Sequence, residues 1–76
     1  MNQCIINIVD QSVFVAFNQI IGKGKIEVWK FNNNISPVLS KEIAHTNFEN
    51  LSLEKGKYRV EIEIDGQKII KNININ

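Results

Sequence analysis

The chain is short of the residues that usually announce chemistry. Its 76 residues hold one cysteine, one histidine, one proline, one tryptophan and one tyrosine. Cys4 alone cannot close an internal disulfide, and one cysteine with one histidine, His45, gives no soft-ligand set for a structural zinc site. No apolar run approaches the roughly 18 residues of a membrane helix. Nine Lys and Arg against eight Asp and Glu leave a net charge of +1, which argues against binding a phosphate backbone. The opening "MNQCIINIVDQSVFVAF" has no basic segment ahead of its apolar run. Asn7, Asp10, Gln11 and Ser12 interrupt that run, so it does not read as a signal peptide.

What is abundant is aliphatic. The hydrophobic fraction is 43%, dominated by Ile and Val, whose branched side chains suit a pleated, half-buried surface. The length allows one domain, 1–76, near the lower limit for a core without disulfides or metal. In "YRVEIEI", Tyr58, Val60, Ile62 and Ile64 alternate with Arg59, Glu61 and Glu63, a period of two that predicts a strand with one wet face. Asp65-Gly66 follows, the pair preferred in a type I′ turn. That turn sets Ile64 opposite Gln67, Ile62 opposite Ile69, Val60 opposite Lys71 and Tyr58 opposite Ile73. Lys71 is then out of phase, which predicts a bulge or a snorkelling stem.

Upstream, "CIINIV" and "SVFVAF" read as strands separated by Asp10-Gln11, a tight turn or a kink. "GKGK" reads as a flexible connection leading into a strand from about Lys25 to Phe31, ended by Asn32, Asn33, Asn34 and Ser36-Pro37. "VLSKEIAH" predicts an edge strand, with Pro37 arguing against a helix, and "FENLSL" another short one. Six or seven short antiparallel strands predict an all-β sandwich of Ig-like or fibronectin-like type; an open barrel of the oligonucleotide-binding type is the alternative.

Within "LSLEKGKYRVEI", Leu53, Gly56 and Tyr58 form an L-x-x-G-x-Y corner. With the "KIEVWKF" strand before it and the Asp65-Gly66 turn after it, this resembles the last third of small bacterial Ig-like domains. Two families share the order of elements over roughly residues 5–75: small secreted Ig-like proteins of unknown function from gut bacteria, and C-terminal sorting domains of type IX secretion substrates. The resemblance implies an Ig-like fold in which Gly56 permits the turn and the Tyr58 hydroxyl finds a backbone partner. It also implies secretion or a periplasmic or cell-envelope location.

No catalytic, cofactor or metal constellation emerges. His45 reads as a solvated edge residue, Cys4 as a small buried hydrophobe, and "GKGK" lacks the full phosphate-loop pattern. Lys23, Lys25, Lys55 and Lys57 would cluster if the two glycine-bearing segments lay at one end. Glu61, Glu63 and Asp65 form an acidic comb that projects into water and deters edge association. Asn34-Ile35-Ser36 and Asn50-Leu51-Ser52 match the glycosylation tripeptide, as chance allows in an Asn-rich chain.

The informative surplus is apolar. Ile5, Val9, Phe14, Trp29 and Phe31 alternate out of phase with the core positions, so the early strands are apolar on both faces. Either loops such as "NQIIGKG" cover the outer face or another protein does. Phe14, Trp29 and Phe31 mark the expected contact surface. The reading is a non-catalytic structural or protein-interaction module that meets a partner protein or itself. The alternatives are a glycan- or ligand-binding module that uses the glycine-bearing segments, and a small cytoplasmic phage- or defence-related inhibitor.

Overall fold

The computed structural model describes residues 4–76, so of the expected 1–76 domain residues 1–3 lie outside the described part. Five strands follow in order: β1 (Cys4–Val9), β2 (Ser12–Lys30), β3 (Leu39–Ser52), β4 (Gly56–Ile64) and β5 (Gln67–Ile75). All pairings are antiparallel, in the order β1-β2-β4-β5, with β3 on the other side of β2. No helix among the described residues is long and apolar enough to cross a membrane.

Five strands replace the expected six or seven because two pairs of segments have merged. "SVFVAF", "NQIIGKG" and "KIEVWK" run on as the 19 residues of β2. "LSKEIAH" and "FENLS" likewise form one 14-residue β3. The expected flexible connection at "GKGK" is therefore strand interior. Both merged strands are bent. The register of β2 against β3 slips between Ala16 and Ile21, and the buried positions of β2 change phase, from Val13, Val15, Phe17 and Ile21 to Ile26 and Val28. On β3 the bend sits at His45, whose φ is 53°, in the left-handed region where histidine is tolerated better than most side chains.

An ion pair shows how far β3 turns. Lys41 and Glu49 are in contact, although eight extended residues would separate them by about 26 Å. Only a chain that doubles back can bring them together. The sheet is therefore curled into two arms that face each other. One holds β1, the first half of β2 and the second half of β3. The other holds the remaining halves of β2 and β3 together with β4 and β5. The shortest extent of the molecule, 18 Å, accommodates two backbone layers about 10 Å apart.

A single core fills the space between them: Cys4, Val13, Val15, Phe17 and Leu51 from the first arm, and Ile26, Val28, Ile43, Val60, Ile62 and Ile64 from the second. Two polar contacts link the arms where they open. Lys41 reaches Glu49, whose carboxylate also accepts from Thr46 Oγ1 at 3.2 Å. Lys71 Nζ donates to the Cys4 carbonyl at 3.0 Å. Lys71 faces inward opposite Val60 in an unbroken register, so it is the snorkelling stem and not a bulge.

The C-terminal hairpin keeps the expected register at all four pairs. Asp65 and Gly66 have φ of 49° and 79°, the two positive values a type I′ turn requires. Asp10-Gln11 is the tight turn between β1 and β2, with φ 55° at Asp10. Gly56, at φ 151°, opens the corner that glycine was expected to permit. The buried Tyr58 donates its hydroxyl to the Glu54 carbonyl at 2.7 Å.

Gly24 serves a different need, that of close approach. A Cβ there would lie 2.7 Å from the Glu63 carbonyl oxygen and 3.3 Å from Ile43. Bare backbone lets β4 pack beside β2 at the bend.

Candidate functional site

Because side chains alternate across a strand, the buried residues fix which positions of each arm point outward. On the first arm the outward rows across β1, β2 and β3 are Val9, Ser12 and Ser52; Asn7, Phe14 and Asn50; and Ile5, Ala16 and Phe48. None of these residues is charged. Phe14 and Phe48 stack with ring centroids 5.9 Å apart at 25°, within the range of favourable offset aromatic pairs. Phe48 remains 50% exposed, Ile5 62% and Val9 59%. The segment "NQIIGKG", expected as a covering loop, belongs to β2 itself.

The outer face of the second arm is built oppositely. Glu42, Lys25, Glu63 and Lys68 form one row of alternating sign, and Ser40, Glu27, Glu61 and Ile70 the next. Glu61 accepts from Arg59 Nε at 2.7 Å and lies 3.3 Å from Lys68 Nζ. Burial pushes its carboxyl up, but the hydrogen bonds and charges of Arg59 and Lys68 outweigh that and hold it below the usual carboxylate range. Of the acidic comb, Glu63 and Asp65 are exposed as expected, whereas Glu61 is mostly covered, neutralised by Arg59 on its own strand and by Lys68 across on β5. Such cross-strand pairs consolidate the sheet.

The three residues expected to form one contact surface do not share one. Phe14 is half-buried on the charge-free face. Trp29 lies on the opposite outer face, paired with Arg59, whose guanidinium sits 5.3 Å from the ring centroid. Arg59 is held in place by Glu61 and by a 3.0 Å bond to the Asn34 side chain. Trp29 is thus capped by a cation–π contact, and its half-buried ring is filled by its own chain. Phe31, 58% exposed, lies just beyond β2, its backbone N–H donating to Lys57 at 3.1 Å. The residue that sequence reading missed as the companion of Phe14 is Phe48. Its signal was alternation with half-buried Glu49 and buried Leu51 on β3, obscured because β3 reads as two segments.

The lysines do not cluster either. Gly24 pairs with Ile64 while Lys30 pairs with Tyr58, so Lys23 and Lys25 stand about 20 Å along β4 from Lys57. A shallow groove of about 360 Å³ does lie beside Lys23 and Lys25, but Glu42, Glu63 and Asp65 line it too, giving no net attraction for an anion. Among the described residues no three His, Cys, Asp or Glu side chains are grouped to hold a metal. Cys4 is buried; burial raises its thiol above the ordinary value, and the Lys71 charge pulls it part of the way back. The thiol is thus the poorer nucleophile for being where it is. His45 is exposed at the β3 corner, as its edge reading expected.

The fold itself does not explain a charge-free outer face, its polar residues only Ser and Asn, on a small domain whose other face is charged. No protein-family model matches the chain, and no curated protein matches it in sequence.

Proposed function

We propose that this protein is a non-catalytic interaction module whose contact surface is the charge-free outer face carrying Phe14 and Phe48. The carrying observation is the difference between the two outer faces. Both outer faces are exposed, yet one carries Lys25, Glu27, Glu42, Glu61, Glu63 and Lys68 and the rows of the other hold no charged residue. Depletion of charge with enriched aromatics is the composition of an interface centre. Exposed apolar side chains grouped on one face are what monomeric domains avoid.

On this reading the curled sheet is a reduced Ig-like sandwich, supported by the Tyr58 corner and the Asp65-Gly66 hairpin. Secretion or a cell-envelope location belongs to the same proposal and rests on the resemblance alone. The test is a photo-activatable cross-linker placed at position 48 or, as control, at position 70 on the charged face, in cells producing the protein. Partner adducts at 48 and not at 70 support the reading. Adducts at 70 alone, or at neither position, overturn it.

A further inference from the structure

The sheet has three open edges among the described residues, because β1 and β3 each pair only with β2, and β5 only with β4. Open edges invite pairing with another chain, and proteins protect them with charges, prolines, bends or bulges. The β3 edge carries Lys41, Glu42 and Glu49 and bends at His45. The β5 edge carries Lys68 and Lys71. The β1 edge, "CIINIV", has no charge, no proline and no glycine. Its pairing with β2 is regular along all six residues.

β1 is also under-buried on both sides. Ile5 and Val9 on the outer side are 62% and 59% exposed, and Ile8, in the inward phase, is still 38% exposed. Among the described residues no strand lies alongside the open edge of β1 to cover them.

We propose that β1 pairs antiparallel with β1 of a second copy of this chain about a two-fold axis at Asn7. The occupant follows from the sequence of the edge. In that register Ile5 faces Val9 of the other copy, Ile6 faces Ile8, and Asn7 faces Asn7. Ile5, Ile6, Ile8 and Val9 each meet an apolar side chain on their own face, while Cys4 falls opposite Asp10, just beyond β1. The two carboxamides at the axis each offer both donor and acceptor. No charge within β1 opposes the approach, and at each end Asp10 of one copy comes opposite Cys4 of the other, where Lys71 carries a charge of opposite sign; an isologous contact of this kind closes after two copies. Shifting the axis to Ile6 sets Ile5 against Asn7 and loses that match.

The result is one continuous layer of six strands, β3, β2, β1 and their two-fold mates, with Phe14 and Phe48 of both copies still facing outward on one charge-free surface. The proposal uses the backbone edge rather than that face, so it stands or falls separately from the interaction reading. Pairing five residues of each edge gives a contact smaller than a standard interface of about 1,600 Å². Association is therefore concentration-dependent.

Sedimentation equilibrium from about 5 µM to 1 mM, the span over which such small contacts titrate, reads it directly. The expected result is a rise toward twice the chain mass, with added hydrogen-exchange protection confined to β1. Asn7→Lys, which sets two like charges at the axis, and Ile8→Lys, an inward-pointing edge charge, should each weaken association at least tenfold. Phe48→Lys should leave it unchanged. Circular dichroism confirms that each variant is folded, and Asn7→Lys, at an exposed position, guards against a structural failure of Ile8→Lys. A folded wild-type monomer throughout the range overturns the proposal. So does association lost in Phe48→Lys and kept in Asn7→Lys, which would move the contact to the face.

Discussion

Two glycines two residues apart on β2 should respond to alanine with opposite signs. Gly24→Ala adds a Cβ 2.7 Å from the Glu63 carbonyl oxygen, 3.3 Å from Ile43 Cγ1 and 3.5 Å from Ile21 Cγ2. The first contact is with backbone, so no side-chain rotation relieves it. β2 and β4 must part by about 0.7 Å to restore an ordinary 3.4 Å contact, at the end of a ladder that runs from Gly24 to Lys30. Overpacking of this kind costs about 1–3 kcal/mol. The restricted unfolded chain returns about 0.4–1 kcal/mol, leaving a net loss of about 1–2 kcal/mol. For a domain of this size that lowers Tm by roughly 5–15 °C. Gly22→Ala meets nothing within 4 Å and its φ is not in the left-handed region, so only the unfolded-state gain remains, about 0.5 kcal/mol and roughly 2–4 °C upward. Thermal and urea unfolding followed by circular dichroism and Trp29 emission, at a concentration low enough to keep association out, measures both. A Gly24→Ala protein as stable as the parent, or a Gly22→Ala protein as damaged as Gly24→Ala, would refute the close approach at the bend.

Other expectations follow from single contacts. Tyr58→Phe removes the hydroxyl bonded to the Glu54 carbonyl and should cost about 1–1.5 kcal/mol in urea unfolding, with m unchanged. At His45, φ 53° makes a β-branched replacement unfavourable. His45→Val should lose about 1–2 kcal/mol, while His45→Gly should not fall below the parent by more than about 0.5 kcal/mol. Glu61 has a folded carboxyl held below its ordinary 4.5. Its ion pairs therefore contribute fully above that pH, and the contribution is lost as pH falls through the folded value. Unfolding free energy measured from pH 6 to pH 2 should decline less steeply below about pH 4.5 in Glu61→Gln than in the parent.

The C-terminal hairpin was legible because its signals are local. Alternation from Tyr58 to Ile64 and the Asp65-Gly66 pair determine register within a few residues, and the Tyr58 corner closes onto Glu54, four residues away. Lys71 was legible as an exception; that its ammonium reaches Cys4, 67 residues away, was not, because only the closing of the arms brings the two together. The merged strands were misread for a related reason. Glycines at 22 and 24 signal a turn to local reasoning, yet Gly24 is there for the approach of β4, a neighbour about 40 residues on. The bend of β3 rests on one left-handed residue, His45, that no glycine or proline advertises. With β3 divided in two, the pairing of Ala16 with Phe48 was out of sight, and with it the aromatic partner of Phe14. Phe14 itself was found from phase alone; Trp29 shared that phase on the other arm, where Arg59 covers it.

Which face of the first arm each residue occupies decides both surfaces, since slipping a strand by one residue exchanges the two faces. Nuclear Overhauser contacts of the Phe14 ring decide this most directly. Contacts are expected with the Phe48 ring and with the outward neighbours Asn7 and Asn50, and none with the methyl groups of Val60 or Ile62. Contacts from Phe14 to those core methyl groups, with Val13 and Val15 turned to solvent, would contradict this assignment of faces.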